Sequence, residues 1–172
     1  MMMKKQTLLF VLLFSAILIG MISCGIYSFS GASLSPEVKT VTIRTFTNQA
    51  SIVFPSLAEK ITEKLKDKFM REMNLKLVDD NGDVLFRGSV VDYKVAPASI
   101  GSNDQSKTSR LTISVKVKFE NTKEPKGDFE SVFSSYMDFD SSKDLTQVEN
   151  ELVEGITDIL VQDIFNKAVN NW

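Results

Sequence analysis

Apolar and polar residues alternate most regularly between Leu111 and Glu120. Leu111, Ile113, Val115, Val117 and Phe119 fall on one face, and Thr112, Ser114, Lys116, Lys118 and Glu120 fall on the other. This period of two predicts a strand with one face on a core and the other in water, as in an antiparallel sheet with one open side. Asn121 to Asp128, with Pro125 and Gly127, reads as a turn, and Phe129 to Phe139 as the hairpin partner with Phe129 and Phe133 inward. Val38 to Phe46 reads as an earlier strand with Val41 and Ile43 on one face, followed by a connection over Thr47 to Ala50. Val84 to Val95 begins with Val84, Phe86 and Val90 in phase. It then shifts to Tyr93 and Val95, which predicts a β-bulge or a strong twist.

Two stretches switch to the helical period. Leu57, Ile61, Leu65, Phe69 and Met73 recur every four residues and predict a helix over Ser56 to Met73. Pro55 precedes it, and Ser56 with Glu59 has the form of a capping box. Its opposite face carries Glu59, Lys60, Glu63, Lys64, Asp67 and Lys68. Val148, Leu152, Ile156, Ile159, Leu160 and Ile164 predict a second helix from Thr146 to Trp172, with Thr146 and Glu149 as its capping box and Gly155 a mild cost inside it. Leu75 to Val78 is a short apolar piece, and Pro97 to Ser109 reads as a polar loop. The order is then β-α-β-β-β-α. It describes an α+β two-layer sandwich, a four-stranded mixed sheet with two helices on one face, in which the first helix lets the first two long strands run parallel through a right-handed crossover.

The N-terminus has a different pattern. Lys4 and Lys5 are followed by an apolar run from Leu8 to Ile19 and then by small residues, the layout of a secretory signal peptide. The run is short for a membrane span, which needs about 20 apolar residues. An uncleaved anchor is the competing reading. Met21-Ile22-Ser23-Cys24 resembles the bacterial lipobox, with Met21 in place of the usual Leu. The resemblance implies cleavage before Cys24 and acylation of its thiol and new amine. One acyl chain anchors only marginally, at about 0.8 kcal/mol per buried methylene, so several on one residue would tether the protein without a spanning helix. The alternative is a leftover reactive thiol. Residues 1–23 then form the signal, 24–37 the anchor and a Ser- and Gly-containing linker, and 38–172 one domain. Cys24 is followed by neither Asp nor an acidic tract, which by comparison with lipoproteins in general implies an outer-membrane location facing the periplasm.

Composition narrows the chemistry. The chain has one Cys and no His, so no intrachain disulfide forms and most metal and catalytic designs are excluded. Neither a metal nor a cofactor is called for. The net charge is −2, and −4 once Lys4 and Lys5 are removed, which gives no reason to expect nucleic acid. Asp79-Asp80-Asn81-Gly82-Asp83 invites a calcium-loop reading, but its glycine falls fourth rather than sixth, and Asn-Gly between apolar runs is a turn signal. There is no nucleophile elbow, S-x-x-K pair or P-loop. Asp138 and Asp140 could pair as acid and base, against the plainer reading of a solvated strand end. Lys116 and Lys118, with Lys107 and Arg110 upstream, form a basic group that could meet the phosphates of an anionic glycolipid, or could be ordinary open-face residues. Binding or assembly is favoured over catalysis.

Several stretches together resemble the LptE family of lipopolysaccharide-assembly outer-membrane lipoproteins. They are Cys24 to Ala32 (CGIYSFSGA), Val38 to Val41, Leu65 to Phe69, Arg110 to Ile113 and Asp163 to Trp172. The resemblance implies a similar fold and a partner, the β-barrel LptD, in whose lumen the lipoprotein sits as a plug. It also implies a role in delivering lipopolysaccharide to the outer leaflet, with direct binding of that lipid possible. Cys24 is the one functional residue it transfers. A polar surface over a closed core suits a water-filled barrel. The competing reading is a periplasm-facing lipid-binding lipoprotein that works without a barrel and encloses an apolar cavity. A histidine-free hydrolase is a third.

Overall fold

The computed structural model describes residues 34–52, 54–98 and 108–169. The signal segment, Cys24, most of the linker, Lys107 and the last three residues lie outside the described residues. The elements are β1 (Thr40–Ile43), β2 (Thr47–Asn48), α1 (Leu57–Met73), β3 (Lys76–Leu77), β4 (Val84–Pro97), β5 (Thr108–Asn121), a 3-10 turn (Pro125–Gly127), β6 (Phe129–Asp140) and α2 (Leu145–Val169).

The architecture is α+β with two helices and a mixed open sheet, but the sheet has six strands rather than four. Its order is β3-β1-β4-β5-β6, with β2 also on β4. The two extra strands are two residues long, too short to show a period. β3 lies within the apolar piece at Leu75 and runs parallel to β1 across α1. β2 occupies what reads in sequence as a connection. It continues the line of β1 along β4: Ile43 stands opposite Phe86 and Thr47 opposite Ser89, so the β1 side holds one more residue in between. That extra residue moves Phe46 into the core, which ends the strand predicted over Val38 to Phe46 at Ile43. The Phe46 amide donates to Thr62 Oγ1 at 2.9 Å, and its ring lies where a side chain on Gly88 would be, with an ideal Cβ only 2.3 Å from Cε2.

β4 and β5 pair along their full lengths, and the register slips between Val90 and Asp92, where the change of phase predicts a bulge. The slip turns Tyr93 inward (4% exposed), while Val95 reaches the rim of the sheet. Asp83, from the acidic turn, closes the β1 end of the sheet. Its Oδ2 accepts from the Lys39 and Thr40 amides at 2.9 and 3.0 Å and from Thr40 Oγ1 at 2.9 Å, and Lys123 Nζ stands 3.1 Å from Oδ1. These donors, the Lys39 amide foremost, hold its carboxyl well below the usual carboxylate range. Asp80 pairs instead with Arg44.

Ser56 does not cap α1 through its side chain. Its backbone (φ −92°, ψ 1°) is already near helical rather than extended, and the Lys60 amide bonds to its carbonyl instead. α1 ends at Asn74 in the left-handed conformation, which Asn tolerates. α2 begins one residue before Thr146, and the Glu149 carboxylate accepts the buried Tyr93 hydroxyl at 2.5 Å. Gly155 lets β6 approach α2 closely, since a Cβ there would fall 2.5 Å from Met137 Sδ.

The core between sheet and helices is filled by aromatic rings. Phe86 lies 4.8 Å from both Phe69 of α1 and Phe119 of β5, centroid to centroid. Phe69 is 5.0 Å from Phe165 of α2, and Phe119 is 5.2 Å from Phe129 of β6. The helices are also joined across their outer faces. Lys60 Nζ lies 2.7 Å from Glu154 Oε2, and Lys64 bridges Glu154 and Asp158. Hydrogen bonds from Lys60 and then Lys64 lower the Glu154 carboxyl from 4.5 to about 2. Its folded pKa is the lower one, so its contribution to stability is present above the unfolded value and is lost as pH falls. Glu154 is half exposed, which limits that contribution to about 1 kcal/mol. Urea titrations at stepped pH are expected to show Glu154→Gln about 1 kcal/mol less stable than the parent at neutral pH, with the gap closing as pH falls from 4.5 to about 2.

Candidate functional site

The open face of the sheet gathers the charged residues of β4, β5 and β6. Alternation along β5 puts Arg110, Thr112, Ser114, Lys116 and Lys118 on this face, while Leu111, Ile113, Val115, Val117 and Phe119 are buried. The register then decides the neighbours. Arg87 stands opposite Lys118, Ser89 opposite Lys116, and Glu130 opposite Lys118 on the other side. Arg87, Ser89, Lys116, Lys118 and Glu130, with Thr47 and Gln49, line a shallow cleft of about 210 Å³. Arg87 also lines a neighbouring cleft of about 420 Å³ with Arg44, Gly82 and Glu120.

Two like charges directly opposite one another destabilise a sheet unless something bridges them. Glu120 does so, 2.8 Å from Lys118 Nζ and 3.3 Å from the Arg87 guanidinium. Lys116 pairs diagonally with Glu130. Both carboxyls are held below their ordinary value, Glu120 chiefly by the Lys118 hydrogen bond and Glu130 chiefly by that of Lys116. Three cations against two carboxylates leave the cleft with one net positive charge. Lys116 and Lys118 are half exposed, so their ammonium groups can turn from a carboxylate to an incoming phosphate with little rearrangement.

Arg110 lies elsewhere. Six residues of strand, about 20 Å, separate it from Lys116. It forks onto Asp138 with Nε–Oδ1 and Nη2–Oδ2 distances of 2.7 and 3.0 Å and stacks on Tyr136 at 3.7 Å. The Arg110 hydrogen bond keeps the Asp138 carboxyl low, and the Ser142 amide does the same for Asp140. Neither acid is poised to donate a proton at neutral pH. Of the four basic residues singled out in the sequence, the fold brings together Lys116 and Lys118, places Arg110 apart, and leaves Lys107 outside the described residues. Arg87, Glu120 and Glu130 complete the group. Their membership depends on strand register, which the run of sequence around each does not display.

The LptE lipopolysaccharide-assembly family model matches residues 38–168, which includes every element of the sheet and all but the last residue of α2. The chain belongs to the LptE family. A search of curated proteins found no match. Among solved structures the chain is similar to the hypothetical protein CT253 from Chlamydia trachomatis, at 9% identity and a TM-score of 0.51, over 74% of this chain and 93% of that one. It is also similar to rare lipoprotein B from Shewanella oneidensis, at 12% identity and a TM-score of 0.48, over 75% and 90% of the two chains. A minor lipoprotein from Acinetobacter baumannii gives 14% identity and a TM-score of 0.45, over 72% and 91%. The Chlamydia structure shows the shared fold. Membership of the LptE family ties the chain to lipopolysaccharide assembly.

Proposed function

We propose that this LptE-family chain is an outer-membrane lipoprotein, acylated at Cys24, that plugs the lumen of the β-barrel LptD and assists delivery of lipopolysaccharide to the outer leaflet. It acts by fit and binding, not as an enzyme. The family match over residues 38–168 carries this reading. The packed aromatic layer supports a plug over a free lipid carrier, because a carrier needs an apolar chamber where Phe69, Phe86 and Phe119 are in ring-to-ring contact. Its charged, open sheet face suits a polar barrel lumen.

Within this role, the Lys116 and Lys118 cleft is the place where lipopolysaccharide phosphates would bind, with Arg87 beside them, Arg110 further along the strand and Lys107 three residues before Arg110 in the sequence. The double variant Lys116→Glu, Lys118→Glu is expected to bind purified lipopolysaccharide about tenfold more weakly or worse, since two charge-assisted contacts are reversed. Both side chains are half exposed, so its far-UV and near-UV circular dichroism should match the parent. Unchanged lipopolysaccharide affinity in a folded double variant would remove this cleft from the proposal.

A further inference from the structure

We infer that the outer edge of β6 is a docking edge for an extended segment of a partner polypeptide, one that carries basic residues on its water-facing side. β6 closes the strand order, and among the described residues only β5 pairs with it. It runs for twelve residues, from Phe129 to Asp140, whereas an ordinary strand has about 5–6. About six amides and six carbonyls therefore point away from β5. Long edges are normally blunted by Pro, by Lys or by a bulge. β6 has no Pro, no Lys and no Arg, and its register against β5 is unbroken.

The two faces of the strand say what would fit. On the core side, Phe133, Met137 and Phe139 are only half buried, so apolar side chains of an added strand would complete their cover. On the water side, Val132 and Tyr136 are 61% and 52% exposed, and the charged positions Glu130, Asp138 and Asp140 are all acidic. Lys116 and Arg110 reach Glu130 and Asp138 from β5, and Asp140 has no ion pair among the described residues. A second copy of this chain fits poorly. In the two best-overlapping antiparallel registers that set water-facing residues opposite water-facing residues, Glu130 falls opposite Asp138 or Asp140, and like charges opposite one another destabilise a pair. An incoming strand that alternates basic and apolar residues satisfies both faces. The inference does not depend on the barrel reading.

The test follows amide hydrogen exchange of β6 in the full-length protein in mild detergent during titration with a synthetic alternating Lys-Val peptide. Slower exchange within Ser131–Phe139 is expected. It should be lost when alternate peptide nitrogens are methylated. Affinity should fall about tenfold with a Glu-Val peptide, or with Glu130→Gln plus Asp138→Asn in the protein. No change in β6 exchange, or equal protection by the methylated peptide, would overturn the inference. Protection that grows with protein concentration in the absence of peptide would overturn the choice of partner in favour of a second copy.

Discussion

Phe86→Ala is expected to lower the free energy of unfolding by about 3–5 kcal/mol. Phe86 is fully buried and is the ring that links α1 to β5, through Phe69 on one side and Phe119 on the other. Truncation removes its transfer free energy and leaves a cavity bounded by a paired strand and two neighbouring rings, none of which can collapse far. Against a total stability of about 5–15 kcal/mol, this brings the domain close to unfolding. Urea titration followed by circular dichroism measures it. Val132→Ala, on the open face and 61% exposed, is the control and should stay within about 0.5 kcal/mol of the parent. A Phe86 loss as small as the control's would mean that the rings between sheet and helices are not close-packed.

Cys24→Ser is expected to shift the protein from the membrane fraction to the soluble one, with loss of labelled palmitate. The reason is the same transfer term on another surface: acyl chains contribute about 0.8 kcal/mol per buried methylene, and without them the domain has no comparable hold on a bilayer. Among the described residues no helix is long and apolar enough to cross a membrane. If the Cys24→Ser protein is exported, processed and soluble, the lipid is the anchor. If the parent itself takes up no labelled palmitate and stays in the membrane at full precursor mass, the first apolar run is itself an anchor, and the lipobox reading is wrong. The variant keeps residues 38–168 intact, so its fold, followed by circular dichroism, should match the parent.

Much of the fold was legible because long elements repeat their period many times. Leu111 to Phe119 could face only one way, the four-residue spacing from Leu57 to Met73 had one helical solution, and the change of phase after Val90 marked the bulge. The missed features are short or non-local. β2 and β3 span two residues each. The break after Ile43 comes from an inserted residue that makes sense only when β4 lies alongside and Gly88 receives the Phe46 ring. Gly155 reads in sequence as a cost to the helix and in the fold as the contact point for Met137. Ser56 fits a cap motif, yet its backbone enters the helix too early for its hydroxyl to serve.

The site was legible by half for the same reason. Lys116 and Lys118 are two apart on one strand, so the pleat alone unites them. Arg110 has the right parity but lies too far along the strand, and Asp138 holds it. Arg87 and Glu130 come from different strands and join only through register. Asp83 looks like one acid in a polar turn, and its hydrogen bonds to Lys39 and Thr40 link residues more than forty positions apart.

Mild-detergent purification of the tagged full-length protein from the membranes of its own cells, with mass spectrometry of what accompanies it, tests the plug reading most directly. A large β-barrel recovered in equal amount is the expected result, and it should persist in Lys116→Glu, Lys118→Glu if those residues serve lipid rather than the barrel. Recovery of the protein alone, or with lipid and no barrel, would contradict the plug and leave barrel-independent lipid binding as the function.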